Sequence, residues 1–272
     1  MYEPETSYDE FLKKEMEKHP ELNLNDIELL KKQVEANKEL PLINEKFLII
    51  FLHGSYFIVE NAYKTIVANY RYRKELPQIF SKFDPSAAEM KKVFETVSLS
   101  VVTQPCSSNT ERIIYTSLKT PNATNYDFVE VSKYLVMMME YLIIRNGTFD
   151  GVILAMNSKD FSLRHISKTP IRVLKRLLGF IQEALPIRLK QVHILDAGMV
   201  ATTMFNIAKP FLKGPLIAML QMYPENSEEV FENLPVDIMP SEIGGKGKSH
   251  YEYCEEIYKN MISHREWFLS LD

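Results

Sequence analysis

From about residue 100 onward, short β-type runs alternate with helix-length segments, and this alternation restricts the fold more than any other feature of the sequence. The runs "GVILAMN" (151–157) and "KQVHILD" (190–196) are short and apolar, and "TPIRVLKRLLGFIQEAL" (169–185) between them has the length of a helix. Strands joined by such helices form βαβ crossovers, in which the strands are parallel. Two further predicted strands are "LSVVT" and "RIIYTSL", and "YDFVEVSKYLVMMMEYLII" is another helix. We therefore expect an α/β fold with a mixed, largely parallel sheet.

The first third of the chain has a different pattern, in which apolar residues recur at helical spacing. Ala62, Ile66 and Tyr70 fall on one face of a predicted helix, and Pro77 ends that helix. No β-type run interrupts this region before about residue 98. We expect two regions, an all-helical N-terminal region at 1–98 and an α/β domain at 99–272.

The charge balance and the cysteine content exclude several classes of protein. With 32 Lys and Arg against 36 Asp and Glu, the chain lacks the basic excess of a nucleic-acid-binding protein. Cys106 and Cys254 are too few for a disulfide framework or a zinc site. The N-terminus lacks the apolar run of a signal peptide, and no window has the roughly 18 uninterrupted apolar residues of a membrane span. We expect a monomeric protein that is located in the cytoplasm.

Three features resemble parts of catalytic sites, and each departs from the pattern that the chemistry requires. "GGKGKS" (244–249) resembles a phosphate-binding loop, but such a loop needs a glycine where Glu242 stands. His193 and Asp196 are three residues apart at the end of a predicted strand, which directs their side chains to opposite faces. The six histidines show no metal-ligand spacing. We expect no enzymatic activity, no metal and no cofactor apart from a bound ligand.

The stretch "IAKPFLKGPLIAML" (207–220) is too apolar for an ordinary surface loop and too rich in proline for a buried helix. Pro210 cannot continue an α-helix, and Gly214 with Pro215 makes a second break. Breaks at both ends suit a segment that swings as one unit. An alternative interpretation is a core helix and a strand joined by ordinary turns, since apolar stripes are usually core.

Five segments in order make the chain similar to a known family. They are "EKFLIIFLHGSYFIVENAYKTIVANYRYRKELPQIF", "FDGVILAMNSKDFSLRHI", "LPIRLKQVHILDAG", "FNIAKPFL" and "MPSEIGG". Their sequence and spacing resemble the CRAL-TRIO lipid-binding domains, the group that includes the tocopherol and retinaldehyde carriers. The resemblance covers about residues 25–265.

The resemblance implies a fold and a function. It implies that the sheet forms the floor of an apolar cavity, and that a mobile helical gate follows the strand ending near Asp196. It also implies a carrier that binds one hydrophobic small molecule, such as a tocopherol, retinoid or carotenoid, and exchanges it transiently at membranes. Hinges of this gate are expected at Gly198, Pro210, Gly214 and Pro215. A lipid-responsive scaffold that reports to a protein partner is the alternative function.

The resemblance, together with strand and helix periodicity, predicts which apolar side chains face the ligand. Ser132 is the one polar member, and its hydroxyl either bonds a ligand or bonds its own helix backbone. The predicted ligand-binding residues are Val129, Ser132, Val136, Met139, Val152, Leu154, Met156, Phe180, Ile181, Leu185, Ile187, Val192, Ile194, Val200, Met204, Phe205, Ile207, Phe211 and Leu212.

The chain departs from the family at the basic patch with which several members bind phosphoinositides. Arg188 and Lys190 match two positions of that patch and are possible contacts for anionic lipid. Pro215 and Met219 stand where further basic residues are expected, and His53 replaces an N-terminal arginine. The departures argue against exchange that is driven by phosphoinositides.

Overall fold

A computed structural model of the chain describes residues 6–102 and 111–271. Cys106, one of the two cysteines considered above, lies outside the described residues. The N-terminal region is helical, as predicted, and its first three helices begin at side-chain caps. Ser7, Asn23 and Asn44 each accept a hydrogen bond from a backbone N–H of the following helix. The helices of this region are α1 (Tyr8–Lys18), α2 (Leu24–Ala36), α3 (Glu45–Gly54), α4 (Val59–Glu75), α5 (Pro77–Phe80) and α6 (Ala88–Thr96).

The sheet has five strands, and their order in space follows their order in the chain. The first two strands pair antiparallel, and every later pairing is parallel. The predicted mixed, largely parallel sheet is therefore confirmed. The strands are β1 (Val97–Val102), β2 (Arg112–Leu118), β3 (Val152–Asn157), β4 (Leu189–Leu195) and β5 (Leu220–Met222).

The helices that connect the parallel strands lie on one side of this sheet. Right-handed crossovers that always step to the next strand in the same direction must all pass over the same face. The connections are α7 (Phe128–Asn146) from β2 to β3, α8 (Leu163–Ser167) and α9 (Ile171–Glu183) from β3 to β4, and α10 (Met199–Ala208) with α11 (Gly214–Ala218) from β4 to β5. We call this side the inner face.

The opposite face of the sheet is covered by the C-terminal segment. Side chains of β2, β3 and β4 pack there with Tyr223, Leu234 and Met239 in a small second core. Ser98 on β1 donates a hydrogen bond to the backbone oxygen of His250 at 3.0 Å, which joins the sheet edge to the next helix. Of the helices of this segment, α12 (Val230–Asn233) belongs to this second core, whereas α13 (His250–Ser263) and α14 (Arg265–Leu269) also contribute Ile257, Met261 and Phe268 to the main core.

The main core joins the helical region to the inner face. It includes Leu48 and Ile66 of the helical region, Met137 of α7 and Val152 of β3, all of which are almost completely buried. The last N-terminal helix ends at Thr96 and the first strand begins at Val97. Since one core continues across this point, the division of the chain after residue 98 stays a prediction.

Candidate functional site

Two rows of side chains cross the inner face of the sheet near the carboxyl ends of its parallel strands. Cross-strand partners project from the same face, so the register of the strands identifies each row. The outer row, nearest the strand ends, is Thr116, Met156, Ile194 and Met222, and the inner row is Ile114, Leu154, Val192 and Leu220.

The chain itself covers the two rows unequally. Ile114 and Val192 of the inner row are buried, with 1% and 5% exposure. Met156 of the outer row is 36% exposed, and the other outer-row side chains are half-buried. Within residues 6–102 and 111–271, neither buried core includes an outer-row side chain. The outer row is therefore a largely apolar surface that the described side chains leave only partly covered.

Helix α10 follows β4 onto this same face and is equally incomplete in its packing. It carries no charged residue, yet Ala201 is its only buried side chain. Met199 at its start is 79% exposed, and Val200, Met204 and Ile207 are half-buried. We call residues 199–218 the gate segment. An uncharged apolar helix on the same side as an incompletely covered apolar sheet face is a candidate binding surface for an apolar molecule.

The start of the gate segment borders a cleft at the carboxyl ends of β3 and β4. The cleft has a volume of about 360 Å³. Asp160, Asp196 and Asn226 on its rim all have left-handed backbone conformations, with φ of 66°, 50° and 58°. Asp and Asn adopt this conformation more readily than other residues that carry a side chain. The Asp196 carboxylate accepts a hydrogen bond from the Asn226 backbone N–H at 2.9 Å, which closes the turn out of β4.

The far end of the gate segment is held against α9 by one side-chain amide. Gln182 Nε2 donates to the Phe211 carbonyl oxygen at 3.1 Å, and its Oε1 accepts from the Lys213 backbone N–H at 2.7 Å. Pro210 lies in a 3₁₀ turn at Lys209–Phe211, and Pro215 is in the first turn of α11. The two predicted breaks in the helix therefore lie on either side of this attachment.

The neighbouring carboxylate connects the gate segment to the helical region. Glu183 accepts hydrogen bonds from Lys213 Nζ at 2.8 Å, from Arg71 Nη2 at 3.0 Å and from the Tyr72 hydroxyl at 3.0 Å. These hydrogen bonds, chiefly the one from Lys213, lower the pKa of Glu183. The carboxylate therefore stays ionised at neutral pH, and it bridges α4 and the end of the gate segment.

The predicted ligand-binding residues fall into two groups. The first group is buried in the main core or packs against it, and consists of Val129, Val136, Met139, Val152, Leu154, Phe180, Ile181, Leu185 and Ile187. The second group belongs to neither core among the described residues, and consists of Met156, Ile194, Val200, Met204, Phe205, Ile207, Phe211 and Leu212. Val192 is buried between the two groups. The second group is therefore the part of the predicted set that packs in neither core, and the assignment of ligand contacts stays a prediction.

Ser132 lies in the first group by position and is 3% exposed. Its hydroxyl donates to the Phe128 carbonyl oxygen at 2.7 Å, one turn earlier in α7. The hydroxyl proton is thereby used within the helix, so that its oxygen remains only as a hydrogen-bond acceptor.

Arg188 and Lys190 are engaged with the protein itself. The Arg188 guanidinium donates from Nε and Nη2 to the His53 carbonyl oxygen, at 3.0 and 2.7 Å, and lies over the Tyr56 ring. The Lys190 stem covers Gly151, where an added Cβ would stand 2.6 Å from the lysine Cγ. The prediction that the two bind anionic lipid stays a prediction.

The His53 side chain beside Arg188 is held in its neutral form. Burial is the main cause, and with the Arg188 charge it lowers the pKa of His53 to about 3. His53 Nε2 is buried without a hydrogen-bond partner, and the ring lies 4.6 Å from the ring of His19.

The residues that resemble catalytic motifs take part in hydrogen bonds, a helix cap and close backbone packing within the fold. Both ring nitrogens of His193 lie 2.9 Å from polar partners, Tyr223 and Gln191, and burial lowers the pKa of His193. In "GGKGKS", Ser249 caps α13, and an added Cβ on Gly245 would stand 2.0 Å from the Met239 carbonyl oxygen. In the described part of the chain, no group of three His, Cys, Asp or Glu side chains is placed to hold a metal ion. No helix of that part has both the length and the apolar character to cross a membrane.

The sequence interpretation missed several residues of the site. Thr116, Leu220 and Met222 complete the two rows, and strand alternation with the correct register would have found them. Gln182 and Glu183 gave no signal, since their partners in the gate segment lie 29 to 31 residues away.

Comparison with known proteins identifies two families along the chain. Residues 101–245, more than half of the chain, match the family described as CRAL/TRIO domain. Residues 19–90 match the family described as Pinta-like, UBA domain. The second match lies within the helical region.

Several curated proteins are similar over most of this chain. Alpha-tocopherol transfer protein-like of Mus musculus is 29% identical over 243 residues, which cover 86% of this chain and 68% of that protein. Its Homo sapiens counterpart is 27% identical with the same coverage. Clavesin-1 of Pongo abelii is 20% identical over 234 residues, which cover 85% of this chain and 66% of that protein.

Proposed function

This chain belongs to the CRAL/TRIO domain family, and on that premise we propose that it carries one hydrophobic small molecule and exchanges it with membranes. The carrier binds the molecule between the outer row of the sheet and the gate segment. The names of the relatives place tocopherols first among ligands to test. The proposal includes no catalysis and no cofactor besides the ligand, and it places the protein as a monomer in the cytoplasm.

One observation carries this proposal, namely that α10 and the outer row are largely apolar, lie on the same side of the sheet and, among the described residues, have no side chain in either core, although Ala201 on α10 is buried. A ligand that buries ~500 Å² of apolar surface there gains on the order of 12 kcal/mol before the costs of ordering. That gain retains the ligand in water without any charged contact. It also makes release slow unless another apolar environment is offered.

A membrane offers that environment, and the gate segment provides the route. When the segment swings out, its uncharged helix presents apolar side chains that enter the lipid interface. Gly198 at the start of the segment is the proposed pivot, and a swing about it breaks the Gln182 contacts at the far end near Phe211. The cleft and the turn at Asp196 lie at the other end.

Extraction of the purified protein with organic solvent, followed by mass spectrometry, tests whether a lipid is bound. We expect a single class of hydrophobic molecule at close to one per chain. Met156→Glu places a charge in the outer row. We expect it to remove the bound lipid, because covering a carboxylate with an apolar ligand costs the carboxylate its hydration. Met16→Glu is the control, since Met16 on α1 is 39% exposed and Met156 is 36% exposed.

If Met156→Glu folds and retains the lipid as Met16→Glu does, the outer row is not the binding surface. If no lipid of a broad panel, tocopherols and retinoids included, binds the unmodified protein, the carrier proposal is wrong.

The contacts of Glu183 favour a second candidate, a module that senses a lipid and reports to a protein partner. Through Arg71, Tyr72 and Lys213 this carboxylate connects the gate segment to the helical region, so the state of one can affect the other. Transfer of a fluorescent lipid between donor and acceptor liposomes separates the two functions. A carrier accelerates the transfer, whereas a module of the second kind binds lipid without accelerating it.

A further inference from the structure

Basic residues are concentrated in the part of the chain that builds the gate side of the molecule. Between Gly151 and Leu220 there are ten Lys and Arg and only three Asp and Glu, although the whole chain has 32 against 36. This part contains β3, β4 and all the helices between β3 and β5. The acidic excess of the protein therefore lies in the other segments, and this segment carries a net positive charge.

Several of these cations have no carboxylate partner among the described residues. Arg172 and Lys175 on α9 and Lys209 after α10 are exposed and form no ion pair there. Arg176, by contrast, pairs with Glu75 at 2.9 Å, and Lys213 pairs with Glu183. Unpaired exposed cations contribute little to the stability of a fold, but they set the potential that a charged partner meets.

The unpaired cations and the aromatic side chains of the gate segment form one surface. Lys175 Nζ lies 5.7 Å from the centre of the Phe211 ring, and Lys209 Nζ lies 5.9 Å from that of Phe205. Both phenylalanines are half-buried. The Gln182 side chain of α9 donates a hydrogen bond to the Phe211 carbonyl oxygen, so α9 and the gate segment are in contact at this surface. We call Arg172, Lys175, Lys209, Phe205 and Phe211 the basic gate face.

We propose that the basic gate face docks the protein on bilayers that contain anionic lipid. The proposal rests on the proposed function, since a carrier needs a membrane with which to exchange. Lys and Arg stems lie along apolar surface while their charged ends reach the headgroups, and phenylalanine rings enter the layer beneath. The attraction adds to the apolar insertion of the gate segment and brings the opening of the site against the lipid.

Charge complementarity alone also fits an acidic protein or a nucleic acid, and the apolar content of this surface favours a bilayer. The first residue of α9, Ile171, is 55% exposed next to Arg172 in the chain, and Met199 at the start of the gate segment is 79% exposed. A bilayer accepts both the cations and these side chains, because anionic headgroups lie directly above hydrocarbon.

Co-sedimentation with vesicles of phosphatidylcholine, with and without phosphatidylserine, tests the proposal. We expect the unmodified protein to bind the vesicles with phosphatidylserine more tightly, and the difference to shrink with added salt. Arg172→Gln with Lys175→Gln should weaken this binding about thirty-fold, at roughly five-fold for each cation. The matched control is Lys32→Gln with Lys38→Gln, which removes two exposed cations of the helical region that form no ion pair with the described residues.

Three results would overturn the proposal. One is equal binding of the unmodified protein to both kinds of vesicle, and another is an equal loss of binding in the control pair. The third is a preference for phosphoinositide over phosphatidylserine vesicles of equal surface charge, which indicates a headgroup site instead of a charged face.

The same variant distinguishes this proposal from the carrier proposal. Arg172→Gln with Lys175→Gln changes no residue of the outer row, so we expect it to retain its lipid on organic extraction. Lipid that is retained, together with binding that ignores anionic lipid, contradicts the docking surface alone. Absence of lipid from the unmodified protein contradicts the carrier.

Discussion

Helices α7 and α10 are both apolar and both cross the inner face of the sheet, but they are buried to opposite degrees. α7 contains four charged residues, yet all of its positions from Val136 to Ile144 are buried. α10 contains no charged residue, and a single side chain of its ten is buried. The more apolar helix is therefore the less buried one.

The difference lies in what surrounds each helix. α7 packs between the sheet, the helical region and α13, and its buried Glu140 forms an ion pair with Arg73 of α4. Because such a carboxylate has a partner, α7 tolerates polar residues inside the core. Among the described residues α10 belongs to neither core, and the proposed function assigns its apolar side chains to a ligand or a membrane.

Matched methionine substitutions give the largest expected difference between the two helices. Met138→Ala on α7 removes a fully buried side chain from the main core, and we expect the free energy of unfolding to fall by about 2 to 5 kcal/mol. Met204→Ala on α10 removes a half-buried side chain, and we expect a loss of less than about 1 kcal/mol without ligand. Urea unfolding of the lipid-free proteins measures both values.

A loss for Met204→Ala as large as that for Met138→Ala would show that α10 is ordinary core. Addition of the ligand sharpens the test. The unmodified protein and Met138→Ala should both gain stability from the ligand, since binding to the folded state adds to its stability. Met204→Ala should gain less.

Acid is expected to weaken the body of the protein and to leave the gate helix unaffected. The folded pKa of His53 is about 3, against an ordinary value of 6.5, chiefly because the ring is buried. Below about pH 6.5 the unfolded chain binds a proton that the folded protein does not bind, so stability falls as the pH falls. We expect a loss of about 2 kcal/mol between pH 7 and pH 5 from this residue.

Chemical denaturation across this range measures the loss, and His53→Phe is the control because it keeps a ring of similar size without a titrating group. The slope should become shallower in that variant, with a remainder from His19, His165, His193 and His250, whose pKa values burial also lowers. α10 has no titratable side chain, so the rate of ligand exchange should stay constant over the same range. A rate that follows stability would mean that exchange needs unfolding of the body.

The sequence alone was sufficient for β1 to β4 and for the long helices α7 and α9 between them, because crossovers and breaks have local signals. "GVILAMN" and "KQVHILD" became β3 and β4, and Pro210 and Pro215 interrupt the helices where predicted. It was not sufficient to separate core from site. Val136 and Met204 have the same apolar character, and only the packing of distant segments makes the first one core.

The attachment of the gate segment is a contact that no local pattern predicts, and its removal should have an intermediate effect. Gln182→Ala deletes the bonds to Phe211 and Lys213, each worth about 1 kcal/mol net. We expect ligand transfer between liposomes to accelerate about five-fold or more, with little change in global stability. Gln78→Ala is the control, since Gln78 on α5 is exposed. An unchanged transfer rate would remove this attachment from the mechanism.

The smallest expected effect concerns the glycine at the start of α10. Gly198 is the N-cap of that helix with φ of −83° and ψ of −165°, a conformation that any residue adopts, and an added Cβ would stand 3.1 Å from the movable Glu225 carboxylate. Gly198→Ser should therefore stabilise the helix start by a few tenths of a kcal/mol, because serine is the better cap. If the backbone at Gly198 is a hinge, the stiffer residue also slows ligand transfer, by about two-fold. In the body of the protein, Gly151→Ser would place Cβ 2.6 Å from the Arg188 carbonyl oxygen, so there we expect loss of stability. Faster transfer in Gly198→Ser would show that the segment swings about another point.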